Sequence, residues 1–344
     1  MTYRSTLAPV CMLMLLFAAT LFSQQQPSDD STAVKDIRID AVVTDKSLKG
    51  LHNIPMDSFK VLDNGVERKL TSFKEFSGKD NPVTVLIVVD AVNTPFSALA
   101  YQREQIVKYF SANGGRLEHP TTFAVLTDKG IQVFNKPSKD GTSLVSALEH
   151  YEIGLRDIRR DQGFYGAQDR MTISLNALRE ITAYEKQLPG RKLVAWISPG
   201  WPLLSGVDVD LDWKQLQQIY AHIAECSTEL REAGITLDSI NSWGVGESVG
   251  RANYYEEFLK GVSRPEQAQI GNLGLQVLAA QSGGLVLNST GVVDMLKQSV
   301  SDADDYYELT FAPTPSDKRN EYHRLQVEVQ GSKVRTRESY YTQP

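Results

Sequence analysis

Cysteine is nearly absent from this sequence: there are two in 344 residues, and Cys11 lies in an apolar stretch at the N-terminus. If that stretch is removed, Cys226 is a single thiol, which cannot form a disulfide within the chain. Its surroundings, "QLQQIYAHIAECSTELREAG", have a helical pattern, so we expect Cys226 to be a small buried side chain rather than a reactive one. The hydrophobic core must therefore supply the stability.

The sequence also lacks an excess of positive charge and any zinc-binding spacing. Its 36 Lys and Arg residues are outnumbered by 42 Asp and Glu residues, which gives a net charge of −6. A nucleic-acid-binding protein would need a basic face. The five histidines are scattered, and the one remaining cysteine has no partner for a zinc site. We therefore expect neither nucleic acid nor zinc as a ligand.

One long apolar run is present, "LAPVCMLMLLFAATLF", and it follows the positive charge of Arg4. This pattern predicts a signal peptide over residues 1–23, because the run is too short for a stable membrane span. The polar residues 24–34 are typical of a disordered leader. We expect an exported chain, periplasmic or extracellular, with no membrane span after cleavage.

Residues 35–78 have the pattern of a β block. "DIRIDAVVTD" alternates apolar and polar residues, as a half-buried strand does. Asn64-Gly65 separates two further β-type runs, and this dipeptide favours a type I′ hairpin turn. Residues 304–344 show the same rhythm in three predicted strands, "YYELTFAPT", "YHRLQVEVQ" and "VRTRESYYT". Neither block is large enough alone, so we expect them to pair in one small β-sandwich.

Between the two β blocks, residues 82–303 alternate strand and helix. The run "VTVLIVVD" is continuously apolar, which indicates a central parallel strand with both faces buried. The runs "KLVAWIS" and "ITLDSI" have the same character, and amphipathic helices separate them. This alternation predicts an α/β, doubly wound, mostly parallel sheet with helices on both faces.

Several stretches of this chain, in this order, resemble the von Willebrand factor A-related domain family described from acidobacteria. They are "VVTDKSLKGLHNIPMDSFKVLDNGVERKLTSFKEF", "VLIVVDAVNTP", "LPGRKLVAWISPGWP", "LAAQSGGLVLNST" and "YYELTFAPT…YHRLQVEVQ…KVRTRESYY". The resemblance covers about Lys35 to Tyr341. It implies a secreted von Willebrand A-like domain with β-rich flanks, no assigned biochemical activity and a tendency to bind other proteins.

The resemblance also implies a divalent-cation site at the C-terminal edge of the sheet, with a first loop of the form Asp-x-Ser-x-Ser. Asp90 and Thr94 match the first and last of these positions, whereas Val92 replaces the middle serine. Asn93 offers a carbonyl oxygen. Ser198 stands where the family has an aspartate, so the site is degenerate. One carboxylate with neutral oxygens predicts weak binding of Mg²⁺, Mn²⁺ or Ca²⁺ at most.

The remaining ligand positions of the family cannot be aligned with single residues of this sequence. Thr172, with Ser174 as its alternative, is the candidate from the second loop, so the metal set is Asp90, Thr94 and Thr172. The acidic stretch that includes Asp208 and Asp210 could rebuild the site. The alternative is that the last of these acids, Asp212, caps a helix in a capping box with Gln215.

Gly246-x-Ser248-x-Gly250 matches a serine-hydrolase motif. A nucleophile elbow needs its serine directly between a strand and a helix. The predicted strand ends near Ile240, well before Ser248, and His323 falls in the C-terminal β block. A secreted hydrolase using Ser248 is therefore the weaker alternative, and a purely structural envelope protein is another.

Trp201 lies in "SPGWPLL" at the predicted ligand edge of the sheet, where open α/β sheets bind their ligands. It is either an exposed anchor for a partner or an aromatic that folds back over the core. The favoured hypothesis is a secreted, non-enzymatic protein-binding module that needs no cofactor. Its partner is an unknown protein, and its binding residues are Asp90, Asn93, Thr94, Ser198 and Trp201.

Overall fold

A computed structural model describes residues 35–78, 81–150, 163–202, 211–242, 254–301, 303–316 and 318–343. The predicted signal peptide (1–23) and leader (24–34) lie outside these ranges. So do Asp208, Asp210 and the Ser248 motif, and the predictions made for them stay predictions.

Within the described ranges the chain forms fourteen β-strands and six α-helices. The strands are β1 (Ile37–Thr44), β2 (Phe59–Asp63), β3 (Val66–Arg68), β4 (Leu70–Phe76), β5 (Val83–Asp90), β6 (Arg116–Thr127), β7 (Gly130–Asp140), β8 (Arg191–Ile197), β9 (Ile235–Asn241), β10 (Val286–Asn288), β11 (Tyr306–Phe311), β12 (Tyr322–Val329), β13 (Lys333–Thr336) and β14 (Ser339–Tyr341). The helices are α1 (Phe96–Gly115), α2 (Gly141–His150), α3 (Gly163–Glu185), α4 (Trp213–Ala233), α5 (Leu275–Gln281) and α6 (Val292–Val300).

The central sheet has the strand order β10-β9-β8-β5-β6-β7. All neighbouring pairs are parallel except β6 and β7, so the expectation of a mostly parallel sheet is confirmed. Strand β5 lies inside the sheet between β6 and β8, and its residues Val85 to Asp90 are all buried. Burial on both faces explains why this strand is continuously apolar up to its last residue.

Helices cover both faces of this sheet. Because side chains alternate along a strand, Leu86 and Val88 of β5 pack with α3, α4 and α5, whereas Val85 and Ile87 pack with α1, α2 and α6. Cys226 is buried in the first of these clusters, and burial raises the pKa of its thiol to about 12. The interpretation of Cys226 as a small buried side chain is confirmed.

Two four-stranded antiparallel sheets, β13-β1-β11-β4 and β14-β12-β2-β3, combine strands from the two ends of the chain. Strand β1 pairs with β11 and β13, and β2 pairs with β12. The inward side chains of both sheets, such as Ile39 and Val61, share one hydrophobic cluster, and we call the two packed sheets the sandwich. The predicted Asn64-Gly65 turn is confirmed, with φ of 51° and 81° between the paired Asp63 and Val66.

The predicted final strand "VRTRESYYT" is wrong as a single strand. The chain leaves one antiparallel sheet after β13, passes through Arg337 and Glu338, and enters the other sheet as β14. The run before Phe76 divides in the same way into β3 and β4. Only Lys69 separates β3 from β4, and only two residues separate β13 from β14, so the sequence offers no clear break that would reveal the change of sheet.

Candidate functional site

Asp90 lies where the chain leaves two adjacent strands of the central sheet toward opposite faces. The chain after β5 continues into α1 on one face, whereas the chain after β8 continues into α4 on the other face. A crevice at the C-terminal ends of two such strands is where open α/β sheets bind ligands. Asp90 is the last residue of β5, and Ser198 directly follows β8.

The carboxylate of Asp90 is fully buried and accepts hydrogen bonds from the protein itself. The backbone N–H of Asn93 donates to its Oδ1 at 2.9 Å, and the side-chain Nδ2 of Asn93 donates to Oδ2 at 2.8 Å. The indole Nε1 of Trp196 donates to Oδ2 at 3.1 Å, and the hydroxyl of Ser198 also donates. Four donors are about as many as one carboxylate can accept.

The orientation of Asn93 is fixed by helix α3. The hydroxyl of Ser174 donates to the carbonyl of Arg170 at 2.8 Å, so its oxygen accepts from Nδ2 of Asn93 at 2.9 Å. The Nδ2 group therefore points toward both Ser174 and Asp90. The loop after β5 is thus held to α3 through Asn93.

Burial raises the pKa of Asp90, although hydrogen bonds from Asn93, Trp196 and Ser198 act in the opposite direction. Arg170 is the nearby cation: burial lowers its pKa, and the charges of Asp128 and Asp90 partly restore it. The carboxylate of Asp90 therefore accepts hydrogen bonds from N–H and O–H groups and interacts with the positive charge of one guanidinium group.

These surroundings do not fit a divalent cation. A hard cation such as Mg²⁺ needs oxygen lone pairs, whereas Asn93 and Trp196 direct N–H hydrogens at the oxygens of Asp90. Thr172, predicted as a metal ligand, is exposed and donates to the carbonyl of Gln168 at 3.0 Å. Ser174, the alternative candidate, is the residue of α3 that contacts Asn93. Among the described residues there is no group of three His, Cys, Asp or Glu side chains arranged to hold a metal.

Asp212 caps a helix, as the alternative interpretation predicts. Its Oδ1 accepts from the backbone N–H of Gln215 at 2.8 Å, and Oε1 of Gln215 accepts from the backbone N–H of Asp212 at 2.9 Å. These two bonds form a capping box at the start of α4. The carboxylate of Asp212 is therefore engaged at the helix terminus.

The residues predicted to form the centre of a partner interface are buried. Asp90, Thr94 and Ser198 are 0% exposed, Asn93 is 2% exposed and Trp201 is 3% exposed. Trp201 packs edge-to-face on Trp196, with ring centroids 5.1 Å apart. Of the two alternatives for Trp201, the aromatic folded over the core is confirmed, and the exposed anchor is wrong. None of these five side chains offers a surface for direct contact.

Exposed aromatic side chains also lie at this end of the sheet, on helices that cover its two faces. Phe96 is the first residue of α1 and is 73% exposed, and Trp213 is the first residue of α4 and is 51% exposed. Helices α1 and α4 follow β5 and β8, so both residues lie at the C-terminal edge. Phe164 (52% exposed) and Tyr165 (78% exposed) begin α3.

The direction of α3 follows from contacts at two of its positions. Ser174 reaches the C-terminal edge through Asn93, whereas Glu185 accepts from Thr84, near the start of β5, at 3.5 Å. The first turn of α3 therefore extends beyond the C-terminal edge. We call Phe96, Phe164, Tyr165 and Trp213 the aromatic rim.

Trp196 is the functional residue that the sequence interpretation missed. A signal was available, since Trp196 carries the one polar group among the side chains of the buried stretch "LVAWI", and a buried indole N–H needs an acceptor. The sequence could not reveal that the acceptor is Asp90, which lies 106 positions away.

In the part of the chain that the structure describes, no helix combines the length and apolar character needed to cross a membrane. No protein-family model matches this sequence, and no curated protein matches it. Among solved structures, the chain is similar to the human COPII-coat protein Sec24c, with a TM-score of 0.32 and 8% identity. That similarity covers 78% of this chain and 44% of the Sec24c chain, so this chain spans less than half of that protein's length.

Proposed function

We propose that this chain is an exported, non-enzymatic protein-binding module built on a doubly wound, von Willebrand A-like domain with a degenerate metal site. The stretches that resemble the von Willebrand factor A-related family support the domain type, as does a mostly parallel sheet with helices on both faces. The signal-peptide pattern of residues 1–23 supports export to the periplasm or the outside.

The exposure of the aromatic rim is the observation that carries the binding proposal. Exposed Phe, Tyr and Trp side chains cost free energy in water, and large aromatic residues supply much of the binding energy of protein interfaces. All four rim residues lie at helix N-termini on one end of the sheet. A protein partner that buries them would gain contact area without displacing the buried Asp90 cluster.

Asp90 has a supporting role in this proposal. Its hydrogen bonds hold the loop after β5 to β8 through Trp196, and Asn93 ties the same loop to α3. These contacts fix the positions from which Phe96 and the first turn of α3 extend. Binding is therefore independent of a divalent cation.

The test compares capture of partner proteins by three forms of the mature chain from the envelope and secreted fractions of the source cells. The first form is unchanged, and the second carries Phe96→Ser, Tyr165→Ser and Trp213→Ser. The third carries Leu48→Ser, Met56→Ser and Val66→Ser, which are exposed apolar residues outside the rim. Quantitative mass spectrometry measures each captured protein with and without EDTA.

We expect at least one protein that the unchanged and third forms retain equally, that the second form loses, and that EDTA does not release. Loss on addition of EDTA would contradict metal independence. If every captured protein were retained equally by the second and third forms, the aromatic rim would not be the binding surface.

A further inference from the structure

A cluster of arginines lies at the end of the central sheet opposite to Asp90. Arg191 is the first residue of β8 and pairs with Val83, the first residue of β5, whereas Asp90 is the last residue of β5. The two sites are therefore separated by the length of a strand. No residue of the aromatic rim belongs to this second site.

The cluster surrounds a cavity of about 30 Å³ where the sandwich meets the central sheet. Five arginines from both parts of the fold line it, and Asp40 is the one acidic residue among the described lining residues. The arginines are Arg38 in β1, Arg191 in β8, Arg231 in α4, Arg335 in β13 and Arg337 directly after β13. Positive charge therefore exceeds negative charge around the cavity.

Carboxylates accompany several of these guanidinium groups, and the charge of Asp238 acts on both Arg335 and Arg191. A charge-assisted hydrogen bond between a guanidinium and a carboxylate is about 2.7–2.9 Å long. Two contacts in the cluster are longer, at 3.6 Å from Arg38 to Glu308 Oε2 and 3.8 Å from Arg231 to Glu232 Oε1. These contacts only partly offset the charge.

Arg231 and Arg337 are buried members of the cluster with few hydrogen bonds. The side chain of Arg231 is 8% exposed, and its Nε has no hydrogen-bond partner among the described residues. Arg337 is buried and donates to the backbone carbonyl of Ser227 at 3.3 Å. Burial, and then the positive charge of Arg231, lower the pKa of Arg337 to about 9. Asp40 and Glu232 oppose this repulsion in part, and an anion bound beside the two guanidinium groups would offset more of their charge.

We propose that this cavity binds a small tetrahedral oxyanion of the phosphate or sulfate type. The cavity has room for about two water molecules, and a phosphate or sulfate ion occupies a similar volume. Guanidinium groups present planar pairs of N–H donors that match the oxygens of such an ion. The bound ion bridges strands β1 and β13 of the sandwich to β8 and α4, so it also stabilises the junction.

Isothermal titration of inorganic phosphate and sulfate into the phosphate-free chain, at constant ionic strength, tests this proposal. We expect saturable binding of one ion per chain and a rise in the melting temperature with phosphate. Arg337→Gln should weaken binding about tenfold or more, because it removes charge-assisted hydrogen bonds. Arg264→Gln, an exposed arginine that does not line the cavity, should leave the dissociation constant unchanged.

If Arg337→Gln does not fold, we expect the same weakening of binding in Arg231→Gln.

Titration of phenyl phosphate distinguishes a free phosphate ion from a phosphoryl group on a larger molecule. Binding of phosphate but not of phenyl phosphate identifies a free ion, and equal binding of both identifies the phosphoryl end of a larger molecule. No saturable binding up to about 10 mM would overturn the proposal. Binding that is the same in Arg337→Gln, Arg231→Gln and Arg264→Gln would mean an adventitious ion only.

Discussion

The indole Nε1 of Trp196 lies 3.1 Å from Oδ2 of Asp90 and donates a hydrogen bond to it. The two residues belong to adjacent parallel strands, and both are fully buried. With Asn93 and Ser198, Trp196 supplies donors to the oxygens that a cation would otherwise approach. Asp90 is therefore part of the protein's internal hydrogen bonding at the edge of the sheet.

Replacing Trp196 with phenylalanine removes one donor from a buried carboxylate. We expect Trp196→Phe to lower the free energy of unfolding by about 1–3 kcal/mol beyond the cost of the lost ring volume. Chemical denaturation with urea at pH 7 measures the change.

Trp201→Phe is the matched control for this prediction. Trp201 is also buried, but its Nε1 has no hydrogen-bond partner among the described residues, so the substitution removes similar volume without a hydrogen bond. An equal or larger loss of stability in Trp201→Phe would show that the Asp90 contact contributes little.

Asp63 stabilises the sandwich through a buried network. Its carboxylate accepts from Nδ1 of His323 at 2.7 Å, from the hydroxyl of Tyr340 at 2.8 Å and from the backbone N–H of Thr314 at 2.8 Å. Burial alone would raise the pKa of Asp63, but these hydrogen bonds outweigh it and lower the pKa to about 2. Its contribution is therefore fully present above pH 4 and is lost as the pH falls to 2.

We expect Asp63→Asn to remove about 2 kcal/mol of stability at neutral pH and to flatten the loss of stability between pH 4 and pH 2. Urea denaturation across this pH range measures both effects. Asp57→Asn, at an exposed position, is the control. An acid slope in Asp63→Asn equal to that of the control would contradict the assignment.

Glu185 gives the opposite pH dependence. Burial raises its pKa to about 7, although the positive charge of Lys192 opposes the shift. The folded chain therefore binds a proton more tightly than the unfolded chain, so stability falls as the pH rises from about 4.5 to about 7.

Glu185→Gln should abolish that fall, which amounts to about 2–3 kcal/mol. Thermal denaturation measured at intervals between pH 4.5 and pH 8 provides the comparison. Glu180→Gln, an exposed residue of the same helix, should keep the pH dependence of the unchanged chain. A Glu185→Gln variant whose stability still falls over this range would show that another group is responsible.

The local features of this fold could be predicted from the sequence. Strand β5 is recognised by its unbroken apolar run, the β2–β3 turn by Asn64-Gly65, and the start of α4 by Asp212 and Gln215. In each case the signal and the structure lie within a few residues of each other. Short-range backbone preferences and burial are sufficient to explain them.

The candidate site depends on contacts between distant residues, and these could not be predicted. Trp196 meets Asp90 across 106 positions only because β5 and β8 are adjacent in the sheet. Thr172 and Ser174 are two positions apart on α3, and the sequence does not say which of them faces the sheet. The burial of Trp201 likewise depends on Trp196, against which its ring packs.

The most direct test of the account is calorimetric titration of Mg²⁺, Mn²⁺ and Ca²⁺ into the mature chain, with Asp90→Ala and Asp212→Ala as controls. Because protein donors occupy the oxygens of Asp90, we expect no saturable heat up to about 10 mM, above the roughly 1 mM dissociation constants of weak extracellular calcium sites. Saturable binding of one ion that is lost in Asp90→Ala and kept in Asp212→Ala would contradict the account, since it would mean that the cation displaces Trp196 and Asn93 from Asp90.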